Sequence, residues 1–207
     1  MSVSFCTITP SRGDRPEFLN FCKHQLDRMN TQPCKSYFID YTPKNGEVDL
    51  VPRIQEGIRQ AKHDGFDLVF ILESDDFYPI DYFDNIPDAD FIGEQSTTYY
   101  SLRNNTWQSM NHPARSSLFT TGFKISALNG FNWPKQTEKF LDISLWNFAQ
   151  RKKRAFRKTG AIGIKHNIGL CWGKGHTMLM KNSDPQREWL KSNVDQESWA
   201  FYQSLKL

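Results

Sequence analysis

The chain has 207 residues, 38% of them hydrophobic and 14% aromatic, enough for one domain with its own core and too apolar for intrinsic disorder. A formal net charge of +3 does not by itself imply nucleic acid. No stretch approaches the roughly eighteen apolar residues of a membrane span, the opening VSFCTIT run breaks at Pro10 without the pattern of a leader, and Cys6, Cys22, Cys34 and Cys171 lack paired spacing, so a cytoplasmic protein with reduced thiols is expected.

In chain order, Val3 to Thr9 reads as a strand, and Pro10 to Asp14 as a loop in which Gly13 or Asp14 caps a helix. From Pro16 to Met29, Phe18, Leu19, Phe21, Cys22, Leu26 and Met29 fall near helical spacing. Ser36 to Tyr41 is a second strand closing on Asp40. A TPKNGE turn follows, then a helix carrying Val51, Ile54, Ile58 and Ala61 and ending near Gly65. Leu68 to Leu72 is a continuous apolar run, the pattern of a strand covered on both faces. It runs straight into Glu73, Ser74, Asp75 and Asp76. Strand, helix, strand, helix, strand argues a layered α/β sheet with right-handed crossovers.

Beyond Phe91 the pattern changes to short strands at 91–92, 97–102 and 117–121, separated by polar turns. A helix from Glu138 to Lys153, a strand at 161–164, a Gly-rich stretch from His166 to His176 and a helical tail around Trp189, Leu190, Trp199, Phe201 and Leu205 complete the reading.

Ligands of parallel sheets bind at the carboxyl ends of strands. Three acids at such an end repel one another unless a cation or hydrogen-bond donors compensate, which suits a hard divalent ion and the phosphate it would carry. The plainer reading makes Glu73 and Asp76 caps of a following helix or turn, with Ser74 and Asp75 as good N-cap residues and Pro79 suited to a first turn. RKKRAFRK, Arg151 to Lys158, packs six cations into eight positions; it is either a solvated helix end or a phosphate contact.

The ordered set resembles the GT-A glycosyltransferases, in particular small family-2-like and phage-type enzymes that use nucleotide sugars. The resemblance spans most of the chain: Thr9, Pro10 and Arg12 after the first strand; Asp40 after the second; Arg53, Gly57 and Ala61 on the second helix; and ILESDDFYP in place of a DXD motif, with Glu73 where Asp is usual. It implies an α/β, GT-A fold, a single Rossmann-like domain with a central, mostly parallel sheet. Residues 1–90 form its nucleotide-binding half, 91–180 its acceptor-binding half and 181–207 a helical tail. It further implies a metal-dependent glycosyltransferase, hexosyl- or pentosyl-, moving sugar from a nucleotide sugar, UDP-linked by preference, to a hydroxyl. Thr9, Pro10, Arg12, Asp40, Arg53, Glu73 and Lys174 would hold the nucleotide. Asp75, with His166 or its rival His176, would hold Mn²⁺ or Mg²⁺, and Asp142 would be the general base, a first-turn helix acid being the plainer alternative. DNA with hydroxymethylated bases is a second acceptor option, with Arg151 to Lys158 on phosphates and Trp107 or Trp172 stacking a flipped base. The non-enzyme alternative is a nucleic-acid-binding module built on that basic run.

Overall fold

The computed structural model describes residues 3–40, 48–166 and 180–205. Its larger sheet has six strands in the order β2-β1-β3-β7-β4-β8, formed by β1 (Phe5–Pro10), β2 (Lys35–Ile39), β3 (Leu68–Ile71), β4 (Phe91–Gly93), β7 (Gly122–Lys124) and β8 (Arg154–Phe156). β1 pairs in parallel with β2 and β3, and β4 with β8. β7 is antiparallel to both β3 and β4. One strand therefore runs against the rest, the sheet is mostly parallel, and the carboxyl ends of β1, β2 and β3 share one edge.

Alternation along β3 explains its unbroken apolar run. Val69 and Ile71 face one core with Val51, Ile54 and Ala61 of α2 (Leu50–His63). Leu68, Phe70 and Leu72 face another with Cys22 and Leu26 of α1 (Pro16–Asp27). Each fully buried side chain of this kind stabilises the fold by roughly 1.5–3 kcal/mol. α2 lies very close to β1, because a Cβ at Gly57 would stand 2.4 Å from Ile8 Cγ2. One turn earlier, Arg53 is 2% exposed and donates to the carbonyls of Ser11 and Ile39, at the ends of β1 and β2, and to Asp49. The Arg, Gly and Ala of α2 thus have packing and pinning roles at the edge where the strands end.

A second sheet, β10-β6-β5-β9, combines β5 (Ser96–Ser101), β6 (Thr106–Asn111), β9 (Ile162–Lys165) and β10 (Asn182–Ser183). β5 pairs in parallel with β9 and antiparallel with β6. β5 and β9 match the strands read at 97–102 and 161–164, whereas their pairing and β6 do not follow from the sequence pattern. The sheet matters because Phe77, just past the acids, exchanges both backbone hydrogen bonds with Ile162 at 3.0 Å, which joins β9 to the acidic turn.

Several sequence expectations change. Residues 117–121 are not a strand: Leu118–Thr120 is a 3₁₀ turn preceding β7. There the Thr121 hydroxyl bonds the Ser117 carbonyl and Ser116 bonds the Thr120 hydroxyl, a local alternative to a sheet ladder. The helix expected from Glu138 to Lys153 is α3 (Leu141–Phe148) followed by a 3₁₀ turn, Ala149–Arg151. Glu138 Oε1 takes the amides of Lys139 and Phe140 and holds them outside the helix. The basic run is no helix end, since its centre is the edge strand β8. α1 begins at Pro16 after Arg15, with no side-chain cap from Gly13 or Asp14. The tail is two helices, α4 (Glu188–Asn193) and α5 (Gln196–Ser204).

Candidate functional site

No α-helix lies between β3 and β4, so Glu73, Asp75 and Asp76 cap none. They converge instead: each offers a carboxylate oxygen, and these oxygens lie within 4.8 Å of one another. Asp76 is fully buried; its Oδ1 accepts from the Ile164 amide at 2.7 Å, while Oδ2 is buried with no partner among the described residues. An unmatched carboxylate oxygen beside two further acids is the hard-oxygen donor set a divalent ion prefers.

Three elements, α1, β9 and α5, hold this turn. Gln25 of α1 uses both ends of its amide, donating to the Asp76 carbonyl and accepting from the Tyr78 amide, each at 2.9 Å. The Glu73 amide donates to the Tyr78 hydroxyl at 2.8 Å. β9 contributes Ile164 through its backbone, and just past its end His166, 4% exposed, places Nε2 2.6 Å from Asp75 Oδ2. The His166 ring stacks on Phe18, with centroids 4.5 Å apart. The Tyr202 hydroxyl of α5 reaches the Asp75 carbonyl at 3.3 Å.

The electrostatics divide the acids. Burial pushes the Glu73 carboxyl up, Lys165 draws it down, and the charges of Asp75 and Asp142 push it up again. Burial also acts to raise Asp75, yet the His166 hydrogen bond and charge, with Lys165 and Arg15, outweigh it and hold Asp75 well below the usual carboxylate range. Asp76 is pushed well above that range by burial, against the pull of Lys165. Lys165 answers in kind: burial would lower its ammonium, but Asp76, Glu73 and Asp75 raise it. Neighbouring groups whose pKa values are driven apart mark a functional-site candidate.

Lys165 and Arg15 were absent from the sequence-based site. The Lys165 ammonium sits 5.4 Å from the Tyr99 ring centroid, and the Arg15 guanidinium lies over Phe18 at 5.5 Å with its buried Nε unpartnered among the described residues. Arg12, the expected contact, is held by Asp14 in a two-point pair at 2.9 and 2.5 Å. The order of cations in SRGDR gives no means of choosing between the two arginines.

Of the other expected residues, Thr9 is buried with its hydroxyl against Cys22, Pro10 ends β1, Asp40 is exposed past β2, and Arg53 pins the strand ends. Lys174, His176 and Trp172 lie outside the described residues. Asp142 stands in the first turn of α3, paired with Arg115; burial raises its carboxyl and Arg115 opposes that rise. Its charge also acts to raise the Glu73 carboxyl. The basic run is dispersed: Lys153 pairs with Asp88, Arg154 bonds the Ala114 carbonyl, and Arg157 covers the rings of Phe70 and Tyr82. Trp107 is stacked on Trp189 with centroids 4.3 Å apart.

No protein-family model matches the sequence, and no curated protein matches it. Solved structures do match the fold. S. aureus TarS 1–349 in complex with UDP superposes with a TM-score of 0.56 at 9% identity, over 78% of this chain and 60% of that one. The same protein with UDP-GlcNAc gives 0.53 at 10% identity, over 79% and 59%. A proposed nucleotide-diphospho-sugar transferase from Desulfovibrio desulfuricans G20 gives 0.50 at 10% identity, over 97% of this chain and 95% of that one. The chain spans about 60% of the length of the TarS fragment. At these identities the match defines the fold: an α/β, GT-A-like architecture with a central, mostly parallel sheet.

Proposed function

We propose that the chain is a nucleotide-sugar glycosyltransferase whose donor site is the edge where β1, β2 and β3 end. The observation that carries this reading is the convergence of Glu73, Asp75 and Asp76 at the end of β3, beside Lys165 and Arg15. UDP and UDP-GlcNAc are the ligands of the TarS structures that share the fold, and they make a UDP-sugar the first donor to test. Asp40 and the loop after Thr9 and Pro10 would border the nucleoside, and Arg15 and Lys165 would face the diphosphate with hydrogen-bonding positive charge.

The donor set fits Mn²⁺ or Mg²⁺, held by Asp75 with Asp76 and Glu73. Bound there, the ion would neutralise charge developing on the leaving diphosphate. His166 would orient Asp75 and keep it ionised. Asp142, its carboxyl raised by burial toward the working range of a base, would take the proton of the acceptor hydroxyl. The acceptor is then a hydroxyl compound; the dispersal of the basic run gives DNA no particular support.

The test is thermal stability against UDP-, GDP-, CDP- and dTDP-sugars, with Mn²⁺ or with chelator. A ligand at about 100 times its Kd should raise Tm by roughly 5–10 °C. One nucleotide giving that rise in a metal-dependent way supports the reading; no rise with any nucleotide removes it.

A further inference from the structure

The last described helix reaches into the acid turn. Tyr202 of α5 is fully buried, and its hydroxyl donates to the Asp75 carbonyl over 3.3 Å. Its neighbour Phe201 lies flat on Phe21 of α1, centroids 4.0 Å and planes 8° apart, and meets Phe18 edge-on at 5.7 Å. Phe18 carries the His166 ring, and His166 holds the Asp75 carboxylate. Asp75 is therefore held at its main chain directly by α5 and at its side chain through a ring stack that α5 closes.

The helix is itself tied down. Asp195 caps it by accepting from the Ser198 amide at 2.8 Å, and Arg28, just past the end of α1, reaches Asp195 at 3.3 Å and Glu197 at 2.8 Å. Such bracing has a physical reason. A turn holding three carboxylates repels itself, and no helix follows β3 to fix it, so its geometry must be imposed from elements distant in sequence.

We propose that Tyr202 and Phe201 are positioning residues for Asp75, and that the acid turn keeps its ligand-ready geometry only while α5 is docked. The role assigned to Asp75 rests on the donor-site reading above; the bracing does not.

Tyr202→Phe removes one hydroxyl and keeps the ring. Tyr100→Phe is its control: Tyr100 is equally buried, and its hydroxyl bonds Asp184 at 3.0 Å, outside the turn. Amide hydrogen exchange of the full chain reads the turn without any ligand, through the bonded amides of Asp76, Phe77 and Tyr78. Tyr202→Phe should speed exchange over 73–78 about fivefold, the scale of one lost hydrogen bond, and Phe201→Leu should do the same through the ring stack, while Tyr100→Phe leaves these amides at the wild-type rate. Unchanged exchange in Tyr202→Phe, or equal acceleration in both tyrosine variants, overturns the proposal. UDP titration with Mn²⁺ separates the two claims. A wild-type chain that binds no nucleotide while Tyr202→Phe still loosens the turn ends the donor reading and leaves the bracing standing. Nucleotide binding alongside unchanged exchange does the reverse.

Discussion

His166 and Asp75 meet at 2.6 Å although 91 residues separate them, and the second sheet is what closes that gap. β9 is stitched to Phe77 on one side and to β5 on the other, so Lys165 and His166 emerge against the acids that end β3. The pair holds Asp75 ionised in a setting whose burial would otherwise protonate it, and an ionised carboxylate is what a divalent ion binds.

As the proposed base, Asp142 would act only when deprotonated. Burial raises its carboxyl and Arg115 lowers it, so Arg115→Gln should raise it further and move the acid limb of the kcat/KM profile to higher pH. Asp142→Asn should cut kcat by about 10²–10⁴-fold while nucleotide affinity stays at the wild-type value. A pH profile that Arg115→Gln leaves in place would remove Asp142 from the base role.

Asp76 is a stability liability in the ligand-free chain. Its folded pKa is raised above the unfolded value, so its contribution is full below the unfolded carboxylate pKa of about 3.9 and is lost as pH rises through the folded pKa. In chelator, Asp76→Asn should therefore stabilise the protein at pH 8 by about 1–3 kcal/mol, the scale of a buried polar group lacking its partner, and the gain should vanish near pH 4. Thermal melts across pH decide it; a variant less stable than wild type at pH 8 contradicts the electrostatic account.

Lys165→Met and Arg15→Gln should each weaken UDP binding about tenfold or more, as expected for one hydrogen bond to a charged group. Arg12→Gln should change it less than about threefold, because Asp14 already holds that guanidinium. Titration calorimetry separates the two arginines, and a larger loss for Arg12→Gln would restore the sequence-based choice.

Gly57→Ala should destabilise the fold by about 1–3 kcal/mol through overpacking against Ile8. The corresponding drop is about 2–4 °C in Tm for each kcal/mol. An unchanged melt would mean that α2 and β1 are less tightly packed than the structure has them.

The first half of the fold is legible because its signals are local. The alternation that hides in β3 as an unbroken apolar run, the helical spacing of Phe18, Cys22 and Leu26, and the change to acids at Glu73 are all written in adjacent residues. The second half is written across long separations. β8 is an edge strand whose Ala155 and Phe156 are only partly buried amid cations, so its pattern is that of a solvated surface. β6 carries no apolar run at all, because it pairs outside the main core. The same reason hides Lys165: a lone cation next to His166 acquires meaning only when β9 is laid against Glu73, Asp75 and Asp76. Asp76 reads as a turn residue until the Ile164 amide is found on its Oδ1.

In the proposed donor site, Asp75, ionised by His166, anchors metal-dependent nucleotide binding. Calorimetric titration of UDP into the protein with Mn²⁺ tests it most directly, run beside Asp75→Asn and repeated in chelator. The account predicts saturable binding to the wild type that falls at least about tenfold in chelator and in Asp75→Asn alike. Binding of equal strength in all three would contradict it, and so would the absence of binding to the wild type.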